Sequence, residues 1–151
     1  MKKLLSTDYS SAAFNFSMLI LRVSTGLWLI TKHGLVKLQD FSTIQPHFYN
    51  FMGIGSNISL ILVIFAELFC SSLVVLGLFT RLAVIPIIFM LIVAIFGAKG
   101  AQPFLNKEID FLYIIPFVVL LFCGPGRISV DAMINRWSIS GNVDKNGWWF
   151  C

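Results

Sequence analysis

The sequence predicts an all-α membrane protein: a four-transmembrane-helix bundle with a long first outer loop and a short C-terminal amphipathic interfacial helix, in one domain over residues 1–151. Three observations carry this. Only 12% of the residues are charged and 58% are hydrophobic, with a mean hydropathy of +0.87. Soluble domains carry about 25% charged residues, so lipid must solvate part of this surface. Apolar runs recur at lengths near the ~20 residues that cross a hydrocarbon core. Open strands in lipid would leave backbone groups unpaired, whereas helices satisfy them internally.

The first helix is predicted at about 14–34. Met1, Lys2 and Lys3 could open a signal peptide, but the polar interval Ser6 to Ser11 and the lack of a small-residue cleavage site favour an uncleaved span. A long loop, Gln39 to Asn57, follows; it contains Pro46, Gly53, Gly55 and the aromatic patch Phe48-Tyr49-Asn50-Phe51. The second helix, about 58–79, ends in a tight reversal at Gly77-Leu78-Phe79-Thr80-Arg81, and the third runs about 82–98. A Gly- and Pro-bearing connection leads to the fourth, about 109–123, which is short enough to need Glu108 and Asp110 at the interface. Pro86 and Pro116 fall inside the third and fourth helices and are expected to kink them. Gly124-Pro125-Gly126 stops the fourth helix. Ser129 then caps a surface helix, about 129–138, with Val130, Met133, Ile134 and Trp137 on one apolar stripe. The Trp148-Trp149-Phe150 tail is a candidate interface anchor.

The net charge of +4 is thinly spread, and no basic run is interleaved with aromatics, so no nucleic-acid partner is expected. Lys2, Lys3, Arg81, Arg127, Arg136 and Lys145 fall at one set of helix ends, and Lys32, Lys37, Lys99 and Lys107 at the other. The larger group puts both termini in the cytoplasm. Cys70, Cys123 and Cys151 form no CxxC, which argues against a disulfide framework or a dithiol centre. There is no Gly-rich phosphate loop, nucleophile elbow or HExxH. His33 and His47 are poorly placed for a bis-histidine haem, and no metal site is expected.

The informative residues are the charges inside apolar runs. A carboxylate in mid-bilayer costs roughly 2.5–3.5 kcal/mol or more, so Glu67 must be neutral, paired or facing water. Arg22 is the matching oddity in the first helix. Arg22, Gly26, Leu29 and His33 share one helical face, with small Thr25 and Gly26 open to a close neighbour. Glu67, Cys70, Ser71, Val74 and Arg81 share another, and Asp110, Tyr113 and Phe117 a third. The third helix offers only Met90, Ala94 and Gly97 and reads as packing and lipid contact. Counting about 1.5 Å per residue puts Arg22 and Glu67 at heights differing by roughly 6 Å. An Arg22–Glu67 pair is therefore expected, as a structural salt bridge or as a ligand or proton site; snorkelling of either charge is the third reading. His33, Lys37, His47, Glu108 and Asp110 should gather at the outer mouth, with Tyr113 one turn deeper. Histidine beside carboxylates suits proton exchange, because its pKa lies close to neutrality. The candidate ligand or proton site is thus Arg22, His33, Lys37, Glu67, Glu108, Asp110 and Tyr113.

Several short motifs fall in a familiar order. Leu21-Arg22, Lys32-His33-Gly34-Leu35-Val36-Lys37-Leu38, Glu67, Gly77-Leu78-Phe79-Thr80-Arg81 and Gly124-Pro125-Gly126-Arg127-Ile128-Ser129-Val130-Asp131 together resemble the DoxX family. The resemblance spans about residues 16–134. It implies a small bacterial or archaeal four-helix inner-membrane protein, loosely tied to quinone-linked redox chemistry through the related DoxD subunit of a thiosulfate:quinone oxidoreductase. It also marks Gly77, Arg81, Gly124, Pro125, Gly126 and Asp131 as structural motif positions, with Arg81 and Asp131 expected to pair and dock the surface helix. The missing CxxC separates the chain from related redox proteins of the vitamin K epoxide reductase type.

The resulting expectation is a multi-pass protein of a bacterial inner membrane that binds a quinone or similar lipophilic ligand. It would act at most as a membrane subunit beside redox-enzyme partners. A small transporter or lipid-binding protein, and a scaffold without ligand, are the alternatives.

Overall fold

The computed structural model describes residues 10–98 and 108–139. Expectations resting on Lys2, Lys3, Lys99, Lys107, Lys145, Cys151 and the Trp148-Trp149-Phe150 tail lie outside them, as do the side chains of residues 135–139. The described residues are helical or connecting, with no strand.

Helix α1 (Ser11–Gln39) begins where the Ser10 hydroxyl accepts the Ala12 N–H at 3.3 Å. It is longer than predicted at both ends. Gly34 does not end it: this glycine keeps right-handed helical geometry and lies where α1 crosses its neighbour, with room for no side chain. A π-helical turn, Ile30–Gly34, interrupts the regular ladder. Short helical turns at Phe41–Ile44, Gln45–His47 and Phe51–Gly53 occupy the predicted loop.

Helix α2 (Ser56–Leu76) carries a second π-helical turn, Ala66–Cys70. It stops at Gly77, whose φ of +73° lets the Gly77 and Leu78 N–H groups both reach the Leu73 carbonyl at 2.9 Å. Helix α3 (Thr80–Gly97) follows at once and ends in a third π-helical turn, Ala94–Ala98. Helix α4 (Glu108–Cys123) and helix α5 (Val130–Ile139) complete the described chain. Pro86 and Pro116 lie inside helices assigned as continuous.

The four long helices alternate in direction. Helix α1 packs on the second half of α2 and on α4, and α3 packs on both α2 and α4. Gly26 makes the α1–α2 contact close, since a Cβ there would stand 3.3 Å from the Ser71 carbonyl oxygen. Met18, Leu29, Val74, Val84, Ile87 and Phe117 form the core. The outer faces are as apolar as the inside: Trp28, Phe69, Phe89, Phe96 and Phe122 are all more than half exposed. Helices α1, α2 and α3 are long and apolar enough to cross a bilayer, and residues Asp110–Cys123 of α4 form a shorter apolar helix. Such faces are stable against lipid and unstable against water.

Arg22 does not meet Glu67. Its guanidinium is buried beside the end of α2, where Nη1 donates to the Pro125 carbonyl at 2.8 Å and Nη2 to the Ile128 carbonyl at 2.7 Å. The register explains the correction. Arg22 lies beside Gly77, ten residues beyond Glu67 on α2, so the two charges are about 15 Å apart along the helix axis. The depth count failed because it set the helix ends level, whereas Arg22, well inside α1, lies beside Gly77 at the end of α2.

Asp131 and Arg81 also part company. The Asp131 carboxylate accepts the Phe79 N–H at 2.8 Å and the Thr80 N–H at 3.1 Å, while its own N–H donates to the Gly77 carbonyl at 2.9 Å. It thereby caps α3 from a distant segment and holds Phe79 at φ +47°. Arg81 instead donates to the Phe122 carbonyl at 3.2 Å, near the end of α4. Both side chains satisfy orphan helix-end groups, which compete well with an exposed ion pair. Asn15 joins the same knot by accepting the Arg127 N–H at 2.7 Å, and the Ser129 hydroxyl accepts the Ala132 N–H at 3.1 Å.

Asp131→Ala is expected to cost about 1–2 kcal/mol, read as a lower Tm in mild detergent; an unchanged Tm would show that the cap contributes nothing. Gly77→Ala places a methyl 2.6 Å from the Arg22 Nη1 at positive φ. It should cost about 1–2 kcal/mol from the backbone alone, with the collision in addition.

Candidate functional site

At the other end of the bundle, Gly34 lets α1 approach α2 until a Cβ would lie 3.3 Å from the Glu67 carbonyl carbon. One turn beyond Gly34, Lys37 turns inward and its ammonium forms an ion pair with Glu67 Oε1. Glu67 is 2% exposed and Lys37 23%. The lysine stem therefore spans from the partly solvated end of α1 to a carboxylate inside the apolar interior. Glu67 sits in the π-helical turn of α2, and His33 sits in that of α1. Such turns aim side chains away from the regular helical stripe and occur often at functional sites.

Glu67 and Lys37 line a cavity of about 570 Å³, within the usual range for small-molecule sites. The same lining also carries His33, Asp110, Tyr113 and Ser59. Asp110, from the first turn of α4, is 8% exposed. The His33 and Tyr113 rings meet edge to face at 5.6 Å between centroids, an arrangement that orients both.

The rest of the wall is apolar. Leu29 of α1, Val63 and Ala66 of α2, and Met90 and Ala94 of α3 contribute to it. Helix α3 is thus more than packing and lipid contact. Leu62, Phe65 and Phe89 line the cavity and are at least half exposed. The aromatic patch forms a cover: Phe48, Tyr49 and Phe51 all line the cavity. Tyr49 rests against Gly97, and Phe51 meets Phe89 edge to face at 5.8 Å. Ser59 pins the cover by accepting the Phe51 N–H at 3.1 Å, and Asn50 accepts the Gly55 N–H at 2.7 Å.

Of the residues proposed from sequence, His33, Lys37, Glu67, Asp110 and Tyr113 converge on this cavity. Arg22 belongs to the knot at the far end, while Glu108 and His47 are exposed and outside the lining. Sequence reasoning missed Ser59 and the α3 wall. Ser59 was detectable as a hydroxyl inside an apolar run; Phe89 and Pro86 carried no signal, because an apolar side chain looks alike facing lipid or facing a cavity. Among the described residues, no three of His, Cys, Asp and Glu converge as a metal site would require.

Residues 17–100 match the family model described as DoxX. The chain is also 32% identical over 133 residues, 87% of its own length and 96% of the relative's, to a Bacillus subtilis (strain 168) protein named "Putative oxidoreductase CatD". No solved structure matches the chain.

Lys37→Met leaves the Glu67 carboxylate buried without its cation. It is expected to destabilise the protein by about 3–5 kcal/mol, measured by unfolding in detergent. Lys37→Met combined with Glu67→Gln should recover most of that loss. A double variant no more stable than Lys37→Met would show that the two side chains do not act as a pair.

Proposed function

The chain belongs to the DoxX family of membrane proteins, and from that premise we propose that it is an accessory membrane subunit of quinone-linked redox chemistry, holding a quinone or similar lipophilic ligand in its cavity. The observation that carries the reading is the mixed character of the cavity: an apolar chamber of about 570 Å³ whose lining also carries Lys37, Glu67, His33, Asp110 and Tyr113. A quinone needs such a slot for its ring and tail, with polar groups to orient the ring oxygens and exchange protons. The apolar, half-exposed Leu62, Phe65 and Phe89 in the lining suit a ligand dissolved in the bilayer. The oxidoreductase in the relative's name supports the redox setting.

Lys37 and Tyr113 are the donors for a ring oxygen, and the Lys37–Glu67 pair keeps a charge in place without exposing it to lipid. His33 is the group suited to relay protons between the cavity and the nearby end of α1. Electrons pass between the ligand and a partner redox subunit.

The same reading sets α1, α2, α3 and α4 as four spans of a bacterial inner membrane with both termini cytoplasmic. Helix α4 is short for a span, but it packs on α3 and α1. The basic residues Arg81 and Arg127 fall at the knot end, which is the cytoplasmic end in this orientation. Helix α5 then lies along the cytoplasmic interface.

Protein purified in mild detergent is expected to retain an isoprenoid quinone detectable by solvent extraction and mass analysis, and Ala94→Phe, which fills the apolar chamber, to lose most of it. Folded protein that carries no quinone and binds none when it is added would instead leave a scaffold. C-terminal reporter fusions should be active only on the cytoplasmic side; a periplasmic C-terminus would overturn the orientation.

A further inference from the structure

Lys37 occupies Oε1 of Glu67, and the second oxygen, Oε2, is buried with no hydrogen-bond partner among the described residues. Glu67 as a whole is 2% exposed and lines the cavity. An ion-paired carboxylate is an acceptor only, and an acceptor left unsatisfied away from water is costly. From this we propose that Glu67 Oε2 is the acceptor for a hydroxyl of the ligand, so that the site prefers the hydroquinone form over the quinone. The proposal rests on the reading of the cavity as a quinone-type site and adds its redox-state selectivity.

The chemistry is a difference of one proton position. A hydroquinone presents an O–H that can donate to Oε2. A quinone presents only carbonyl oxygens, whose lone pairs would face an oxygen that is already negative and has no proton to give. The ammonium of Lys37 can serve either form and therefore does not discriminate. No bond is made or broken; the inference concerns binding alone. Its consequence is direct, since a site that holds the reduced form more tightly raises the ligand's potential for as long as it is bound.

The test uses the full-length protein in mild detergent under anaerobic conditions, titrated with a decyl-substituted benzoquinone and, separately, with its hydroquinone, following tryptophan fluorescence. The hydroquinone is expected to bind about tenfold or more tightly, the scale of one charge-assisted hydrogen bond. Glu67→Gln supplies an amide that can turn its NH₂ to a carbonyl, and should abolish or invert the preference. Lys37→Arg keeps the ion pair and should retain it. A quinone that binds the wild type as tightly as the hydroquinone overturns the inference and leaves the cavity reading intact. So does a preference that survives Glu67→Gln. Failure of both forms to bind overturns the two together. The wild-type ratio decides the matter even if Glu67→Gln cannot be purified.

Discussion

A carboxylate in the middle of an apolar helix is unstable unless the fold brings it a cation, and here the cation comes from another helix. The pair formed by Lys37 and Glu67 obliges the end of α1 to lie against the middle of α2. Gly34 makes that crossing possible, since a side chain there would enter Leu68 and the Glu67 backbone. The two π-helical turns, at Ile30–Gly34 and Ala66–Cys70, fall on the two sides of the same crossing. The ion pair, the glycine and the turns are thus one solution to one electrostatic problem. Low local dielectric makes the arrangement strong when complete and costly when any part is missing.

The other buried cation is handled by different means. Arg22 is held by two backbone carbonyls of the segment after α4, and Gly77 leaves room for its guanidinium. Asp131 supplies a nearby negative charge while capping α3. The family's short motifs divide accordingly. Arg22, Gly77, Arg81, Gly124, Pro125, Gly126 and Asp131 close one end of the bundle, whereas His33, Lys37 and Glu67 open onto the cavity at the other. The first group makes its hydrogen bonds largely to backbone, the mark of residues that hold an end together. The second group presents side-chain atoms to a space large enough for a ligand. The knot and the cavity are separated by roughly the thickness of a bilayer leaflet.

The cover of Phe48, Tyr49 and Phe51 gives the cavity its third wall. Its conformation depends on positive φ at Met52, Gly53 and Gly55 and on hydrogen bonds accepted by Asn50 and Ser59. A segment that reads as loop is therefore a shaped part of the chamber. Its aromatic content suits contact with a flat ring or an acyl chain.

Much of this was legible in the residues alone. Too few charges to cover a globule implied lipid, and apolar runs implied helices long enough to reach across it. Glu67 was conspicuous because its type contradicted its neighbours. Gly77 announced a helix end and Gly26 a close helix contact, since both effects act through the local backbone. The grouping of His33, Lys37, Asp110 and Tyr113 followed from helix ends meeting at one side of the bundle. Partner choice did not follow. Whether Glu67 meets Arg22 or Lys37 depends on where α1 starts and stops and on the axial register against α2, and a shift of a few residues moves a charge by several ångströms. The π-helical turns and the α3 wall were equally silent, because both arise from how helices pack. Composition and local pattern determined the helices, their lipid-facing character and the presence of buried charge; only the packed structure decided which charges meet, because pairing is set by inter-helix register, a distance that no single segment encodes.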